Sequence, residues 1–469
     1  MKRIFISTSG YEKFAMHFDE IGIADIRLER LSQPNIIGNI YIARVTKVLP
    51  ELQSAFVDFG SRQEGFLPFH EIPGFTKGTI PVHEGEKKII QVIKEAYGTK
   101  GAKLTANITI PGHHFVFLPF GEYIACSKRI PDHQKEDLKN WCQKFLSDSE
   151  GLIIRTSAQG REGKLLSSEI HALKQKWEMI LASQNEGKVP ICLFEDALIP
   201  DQFLRKKPLD SVDEVWFDDA ETYRRCKEEY REVQQKFYWK HHDFPLPFSL
   251  DVALDQVLSH KVTTKEGVTL HFDSTEACHV IDVNSNHFRS HHQKEDFVRK
   301  TNVIAAQIIA RHIRLRNLSG IILIDFIDMK KSEHREEVIK QLSNALKNDP
   351  LRTEIYGFTK LGMLEMTRKR EGKSLALQVL QTSDEQISYS LDTWVYRLER
   401  KIRELGKGQE AILVDIRPEL LKRFLELIPK KRFQEELGLK LFFREKSNLS
   451  DLFELIYIGT KEVAKERML

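Results

Sequence analysis

Two short stretches place carboxylates where metal chemistry would need them. The first is Val280-Ile281-Asp282-Val283-Asn284-Ser285 and the second is Ile322-Leu323-Ile324-Asp325-Phe326-Ile327-Asp328. Each reads as a buried apolar strand ending in an acid, and a carboxylate is costly to bury there unless it is paired or bound to a metal. Asp282 and Asn284 are two residues apart, so strand alternation puts both on one face. Asp325 and Asp328 are three apart and cannot both point into one site from a regular strand; one would be a ligand, the other a cap or a solvent-facing acid. Asp282 with Asp325 would hold Mg2+, a hard cation that takes one or two carboxylates together with waters and phosphate oxygens. Mn2+ shares those oxygen ligands. Such an ion makes a bound water more acidic and stabilises charge on a phosphate being cleaved. Asn284 would hydrogen-bond that phosphate or orient the water. The plainer alternative is that each Asp caps the loop or helix after its strand.

Basic residues surround these stretches. Arg311, Arg314 and Arg316 end one helical run, and Arg368-Lys369-Arg370 follow Leu364-Glu365-Met366-Thr367. They could neutralise phosphates, or simply serve as dipole partners at helix ends. The pairs His113-His114, His241-His242 and His291-His292 read as polar loop residues rather than ligands.

The elements that must position the acids are strands alternating with helices. Val268–Phe272 and Ala277–Val283 have strand patterns, Lys294–Arg316 has helical spacing stopped by Ser319-Gly320, and Ile321–Ile324 reads as a strand covered on both faces. A helix over Ser332–Lys347 follows, and this order makes the segment α/β. Upstream, Ile36–Leu49, Leu52–Phe59, Gly65–Phe69, Lys88–Glu95 and Leu104–Ile110 are short strands broken by turns such as Gly98-Thr99-Lys100-Gly101; five of them fit a small OB-type barrel. Within Ser54–Phe59, alternation puts Ala55, Val57 and Phe59 on one face and leaves Phe56 beside Ser54 and Asp58, a platform for a stacked base. Phe66 by itself reads as core. Residues 220–240 look like a charged helix, and the tail from about 390 looks like a small separate α/β unit with a strand at Ala411–Val414, a helix at Pro418–Leu427 and a strand at Leu439–Phe443.

Composition sets limits on function. The 469 residues carry 71 Lys+Arg against 68 Asp+Glu, a net charge of +3, which excludes a polycation and an acidic solvating tail. Nucleic acid would have to be met by local basic patches. Hydrophobic residues at 41% suit a globular chain with a sizeable core. No window reaches the ~18 apolar residues of a membrane helix, so no membrane partner is expected. Met1-Lys2-Arg3 leads only to Ile4-Phe5-Ile6, a first strand rather than a secretory leader. Five dispersed cysteines argue against disulfides and a thiolate zinc site and favour a cytoplasmic location.

Ile281–Ser285, Gly320–Met329 and Leu364–Arg370, with Ala55–Gly60, Gly65–Pro68 and Thr99–Thr105 upstream, resemble the ribonuclease E/G family of bacterial endoribonucleases. The resemblance implies a multidomain α/β fold with an inserted β-barrel: an RNase H-like subdomain from 1–34 and 203–257, an S1-type OB domain at 35–106, a 5′-sensor at 107–202, a DNase I-like catalytic subdomain at 258–378 and a small α/β domain at 379–469. It implies that Asp282 and Asp325 coordinate Mg2+, that Asn284 contacts the scissile phosphate, and that Phe56, Phe66 and Lys100 grip single-stranded RNA. It also assigns Arg155, Thr156 and the backbone of Val116 to a 5′-monophosphate; a guanidinium fork and a hydroxyl suit a terminal phosphate, although Arg155 taken alone reads as a surface residue. The family's Cys-Pro-x-Cys zinc link is missing, since Glu371-Gly372-Lys373-Ser374 stands in its place and no cysteine follows Cys278. No zinc is therefore expected, and a homodimer would have to form without that link. Ending at Leu469 without a long scaffold extension, the chain looks closer to the ribonuclease G branch.

The expected function is that of a Mg2+-dependent endoribonuclease cleaving single-stranded A/U-rich RNA in rRNA maturation and mRNA decay. It would be stimulated by a 5′-monophosphate and leave 3′-hydroxyl and 5′-phosphate ends. Two rivals are a non-catalytic RNA-binding protein that keeps the S1-type surface and a ribosome-assembly factor that docks through its α/β half.

Overall fold

Among the described residues, strand periodicity resolves into six sheets. The computed structural model describes residues 1–96, 100–183, 189–240, 245–285, 294–347, 349–383 and 386–468. Gly98-Thr99, His241-His242 and His291-His292 lie outside the described residues. The chain divides into two units, Asn35–Pro208 and the combination of Met1–Pro34 with Leu209–Leu469.

In the 35–208 unit, Ile40–Leu49, Ser54–Asp58, Gly65–Pro68, Lys103–Thr105 and Lys87–Lys94 pair in that order, and Lys87–Lys94 returns to Ile40–Leu49. The five-stranded barrel is thereby closed, leaving Ile191–Phe194 as an extra strand on its flank. Its interior is apolar: Ala55, Val57, Leu67, Ile90, Val92 and Leu104 are all fully buried. Gly101 is required by close approach, because a Cβ there would sit 2.1 Å from the Glu64 carbonyl oxygen. A second, four-stranded sheet (Ile124–Cys126, Gly151–Ile154, Phe115–Leu118, Ile110–Pro111) carries the helices Asp132–Gln143 and Gly163–Ala182. Leu166, Ile170, Leu173 and Trp177 recur at helical spacing and bury against Phe115, Phe117, Leu152 and Ile154.

The other unit is built on a mixed five-stranded sheet ordered Phe237–Trp239, Glu214–Phe217, Arg3–Ser7, Glu12–Phe18, Ile23–Arg30. Helix Leu250–Leu258, capped by Ser249, packs Leu250, Ala253, Leu254 and Val257 onto Phe5 and Met16. A six-stranded sheet follows: Lys261–Thr263, Val268–Ser274, Cys278–Ser285, Gly320–Asp325, Leu364–Arg368 and Thr353–Phe358. Helices Lys294–Leu315 and Ser332–Leu346 share a core with one face of it, formed by Ile281, Val283, Ile322, Ile324, Leu364 and Met366. A three-stranded sheet closes the chain, with Val395, Leu398, Ile402, Leu420 and Phe424 of its helices in its core.

Two expectations need correction. Ile321–Ile324 is covered on one face only: Ile322 and Ile324 are fully buried while Ile321 is 50% exposed, because both helices pack on the same side. Residues 220–240 are not one helix. Ala220–Glu229 is helical, but Phe237–Trp239 pairs in parallel with Glu214–Phe217 as an edge strand, its aromatics favouring the pleated surface over the helix. The tail carries its expected strand, helix and strand at Ala411–Ile416, Pro418–Leu427 and Lys440–Glu445, and adds a strand at Phe453–Gly459 and a helix at Leu391–Leu405 that buries Val395, Leu398 and Ile402 at helical spacing. Among the described residues no helix is long and apolar enough to cross a membrane.

Candidate active site

The acids stand on the face of the six-stranded sheet that the two helices leave open. Alternation in Cys278–Ser285 sends Ile281 and Val283 into the core, so Asp282 and Asn284 point the other way. Cys278–Ser285 and Gly320–Asp325 run parallel, and their register sets Asp282 directly against Asp325. Asn284 donates its side-chain amide to an Asp282 carboxylate oxygen, which fixes that carboxylate's orientation. On the other flank His271 is the register partner of Asp282, with Nδ1 3.5 Å from Oδ2. Among the described residues neither Asp282 nor Asp325 has a lysine or arginine partner. Burial at the strand end, together with the Asp282 and Asp328 carboxylates, pushes the Asp325 carboxyl above its ordinary range. Two carboxylates side by side without a cation are the donor set for a hard divalent ion, so the residues present fit one. The pair is more exposed than the sequence suggests, with Asp325 at the surface and Asp282 half-buried, because the open face spares both the cost of full burial. Asp328 lies past the strand end and is solvent-exposed.

Most of the basic residues near these stretches are structural. Arg368 is 2% exposed; its guanidinium donates to both Asp349 oxygens (2.8 and 3.1 Å), to Asn317 Oδ1 and to the Leu318 carbonyl. Arg311 grips both Asp19 oxygens at 2.8 Å and the Ile23 carbonyl. Arg314 donates to the Ala345 carbonyl and Arg316 to that of Ser259. These four tie elements together and are not available to a phosphate, whereas Lys369 and Arg370 are exposed. Partners so far away in sequence leave no local signal.

On the barrel, Phe56 and Phe66 are register partners on the outer surface, both half-buried, with ring centroids 6.1 Å apart at 64°. Phe66 is thus not core, as its sequence setting alone suggested; its neighbours Gly65 and Leu67 take the inward positions. Lys47 stands opposite Phe56 and Lys103 opposite Phe66, so the row reads Lys–Phe–Phe–Lys across four strands. Lys103 also bonds Glu71 at 2.8 Å. Lys100 is exposed, two residues before Ala102, whose carbonyl accepts from the Phe66 N–H. Lys47 and Lys103 escaped the sequence reading because only pairing reveals them.

In the four-stranded sheet, Val116 pairs with Ile153, and both face away from the helices. Arg155 follows directly, its N–H donating to the His114 carbonyl and its Nη1 lying 3.4 Å from the Arg205 carbonyl. Arg205 is itself anchored in a buried pair with Asp196 at 2.6 and 2.7 Å. The exposed Thr156 hydroxyl lies 3.0 Å from Ser127 Oγ. The structure therefore gathers Val116, Arg155 and Thr156 at one end of one sheet.

An α/β chain with an inserted barrel and a paired-carboxylate face is the class of molecule that fold and site define. The chain belongs to the Ribonuclease E/G family, whose model matches residues 109–371. That span holds Asp282, Asn284, Asp325, Val116, Arg155 and Thr156; the barrel aromatics lie before it. Ribonuclease G of Haemophilus influenzae is 34% identical over 374 residues, covering 75% of this chain and 76% of that protein. Ribonuclease G of Escherichia coli K12 is 33% identical over 393 residues, covering 79% and 80%. Ribonuclease E of a Nostoc species is 32% identical over 356 residues, which is 72% of this chain and 52% of that protein.

Proposed function

We propose that this endoribonuclease cleaves single-stranded, A/U-rich RNA with the help of Mg2+ or Mn2+ and prefers a 5′-monophosphorylated end. The observation that carries the reading is the register pair Asp282–Asp325, two adjacent carboxylates on an open face without a lysine or arginine partner among the described residues. A cation held there would supply the positive charge that a phosphodiester develops a need for as it is hydrolysed. Asn284 holds Asp282 in place and offers its remaining amide hydrogen to the scissile phosphate, or its carbonyl to a water. The expected products are 3′-hydroxyl and 5′-phosphate ends.

Phe56 and Phe66 give a sequence-tolerant stacking platform, with Lys100 supplying charge beside them. Arg155 and Thr156 supply the fork and hydroxyl for a terminal phosphate, with the Val116 backbone beside them. In this reading residues 1–34 and 203–257 form an RNase H-like subdomain, 35–106 an S1-type domain, 107–202 a 5′-sensor, 258–378 a DNase I-like catalytic subdomain and 379–469 a small domain. Ribosomal RNA precursors and messenger RNA are the proposed substrates, in the cytoplasm, with any homodimer forming without a zinc link.

The test is a short A/U-rich RNA carrying either a 5′-monophosphate or a 5′-hydroxyl, incubated with wild type or Asp325→Asn in Mg2+. Internal cleavage lost in the variant and faster on the phosphorylated RNA supports both surfaces. Equal rates on the two RNAs discard the sensor. RNA bound by both proteins but cut by neither leaves a binding protein.

A further inference from the structure

The open face of the six-stranded sheet carries a residue beside the acid pair that neither the carboxylate reading nor the RNA surfaces use. His271 lies on Val268–Ser274, and its register partner is Asp282, which in turn faces Asp325. The three form one row across three neighbouring strands. Residues in register share a face, so the imidazole and both carboxylates project from the same side of the sheet. His271 Nδ1 is 3.5 Å from Asp282 Oδ2, and the side chain is 29% exposed. Adjacent donors on one octahedral ion with bonds near ~2.1 Å stand roughly 3 Å apart, so this separation suits two donors sharing a cation. Behind His271 sits His260, ring centroids 5.7 Å apart, and His260 Nε2 is engaged at 2.8 Å by Asp273. His260 is therefore committed to Asp273, while His271 is turned toward the acids.

We propose that His271 adds a nitrogen ligand to the cation site of Asp282 and Asp325 and tilts its choice from Mg2+ toward a first-row transition ion such as Mn2+. The inference rests on the metal reading of that acid pair. Mg2+ is satisfied by oxygen donors and water, so an imidazole adds little to its binding. First-row transition ions accept imidazole nitrogen, and at a given site their affinity rises from Mn2+, the weakest, through Fe2+, Co2+ and Ni2+ to Cu2+. Asn284 already holds the Asp282 carboxylate through a hydrogen bond, while His271 stands 3.5 Å off the same oxygen, so His271 is not needed to orient the carboxylate and is left to serve the ion.

The experiment uses the full chain without RNA, loaded with Mn2+ and studied by calorimetry and by pulsed EPR for coupling to histidine nitrogen. His271→Val and His271→Gln are compared with wild type; valine suits a strand and the side chain is not in the core, and circular dichroism checks folding. Asp282→Asn tests the acid pair itself. The expected result is nitrogen coupling in wild type that disappears in both His271 variants. Mn2+ affinity should fall roughly tenfold or more in those variants, with Mg2+ affinity changed less than about twofold. Mn2+ bound and lost in Asp282→Asn, but without nitrogen coupling in wild type, overturns the role of His271 and leaves the acid pair standing. Mn2+ binding that survives in Asp282→Asn overturns both.

Discussion

Asp282 and Asp325 are direct register partners on adjacent parallel strands, each projecting from the sheet face that the helices leave open. Their nearness raises the Asp325 carboxyl, after the larger effect of burial. A native state that holds a carboxylate above its unfolded value loses stability as pH rises through that interval. Asp325→Asn should therefore raise the melting temperature of the metal-free protein slightly at pH 7 while reducing cleavage by roughly 10²-fold or more. Thermal melts beside a cleavage assay check this; a fall in both would mean the residue is structural.

Phe56→Ala and Phe66→Ala should each weaken binding to single-stranded RNA by about 1–3 kcal/mol, the usual worth of one stacked base. The loss should be similar across RNA sequences. Fluorescence anisotropy with Asp325→Asn as the uncleaving background measures it, and unchanged affinity would return both rings to a packing role.

Arg155→Gln and Thr156→Val should remove the preference for a 5′-monophosphate and leave the rate on 5′-hydroxyl RNA unchanged. A guanidinium–phosphate contact is among the stronger hydrogen bonds, so a preference built on it should shrink to near one when either donor goes. Competition between the two RNAs in one tube reads the ratio directly.

Arg368 and Arg370 are two residues apart but should behave oppositely. Arg368→Met leaves Asp349 buried without its partner, and breaking such a pair costs about 3–5 kcal/mol. Arg370 is exposed, and Arg370→Met should shift stability by less than about 0.5 kcal/mol. Urea unfolding of the two variants distinguishes them; equal losses would contradict the burial that separates them.

Acid should loosen the tie between Asp19 and Arg311. Burial raises the Asp19 carboxyl, but the hydrogen bonds and charge of Arg311, together with the N–H groups of Ile21 and Gly22, outweigh it and hold the group below its ordinary range. That stability is fully present above the unfolded carboxylate value near ~3.9 and is lost as pH falls through the folded one. Asp19→Asn should cost about 1–2 kcal/mol at pH 7, with the difference from wild type narrowing in strong acid; calorimetric melts across pH follow it.

Much of this protein is local and therefore legible in one dimension. Alternation in Ala55–Phe59 separates the barrel's buried side chains from Phe56, and alternation in Ile281–Asn284 puts Asp282 and Asn284 together, because a strand repeats every two residues whatever it later pairs with. The long motifs around Asp282, Asp325 and Arg368 carried the family. What one strand cannot specify is its neighbour. Only pairing set Asp325 against Asp282 and brought His271 beside them, and only pairing aligned Lys47, Phe56, Phe66 and Lys103 in one row. Tertiary packing likewise decided that both helices cover one face, leaving Ile321 half exposed and the acid pair on the open side. It also divided the arginines into buried ties and surface charges, since a guanidinium is held by whichever carboxylate or carbonyl the folded chain brings within reach, and for Arg311 that is Asp19, at the far end of the sequence.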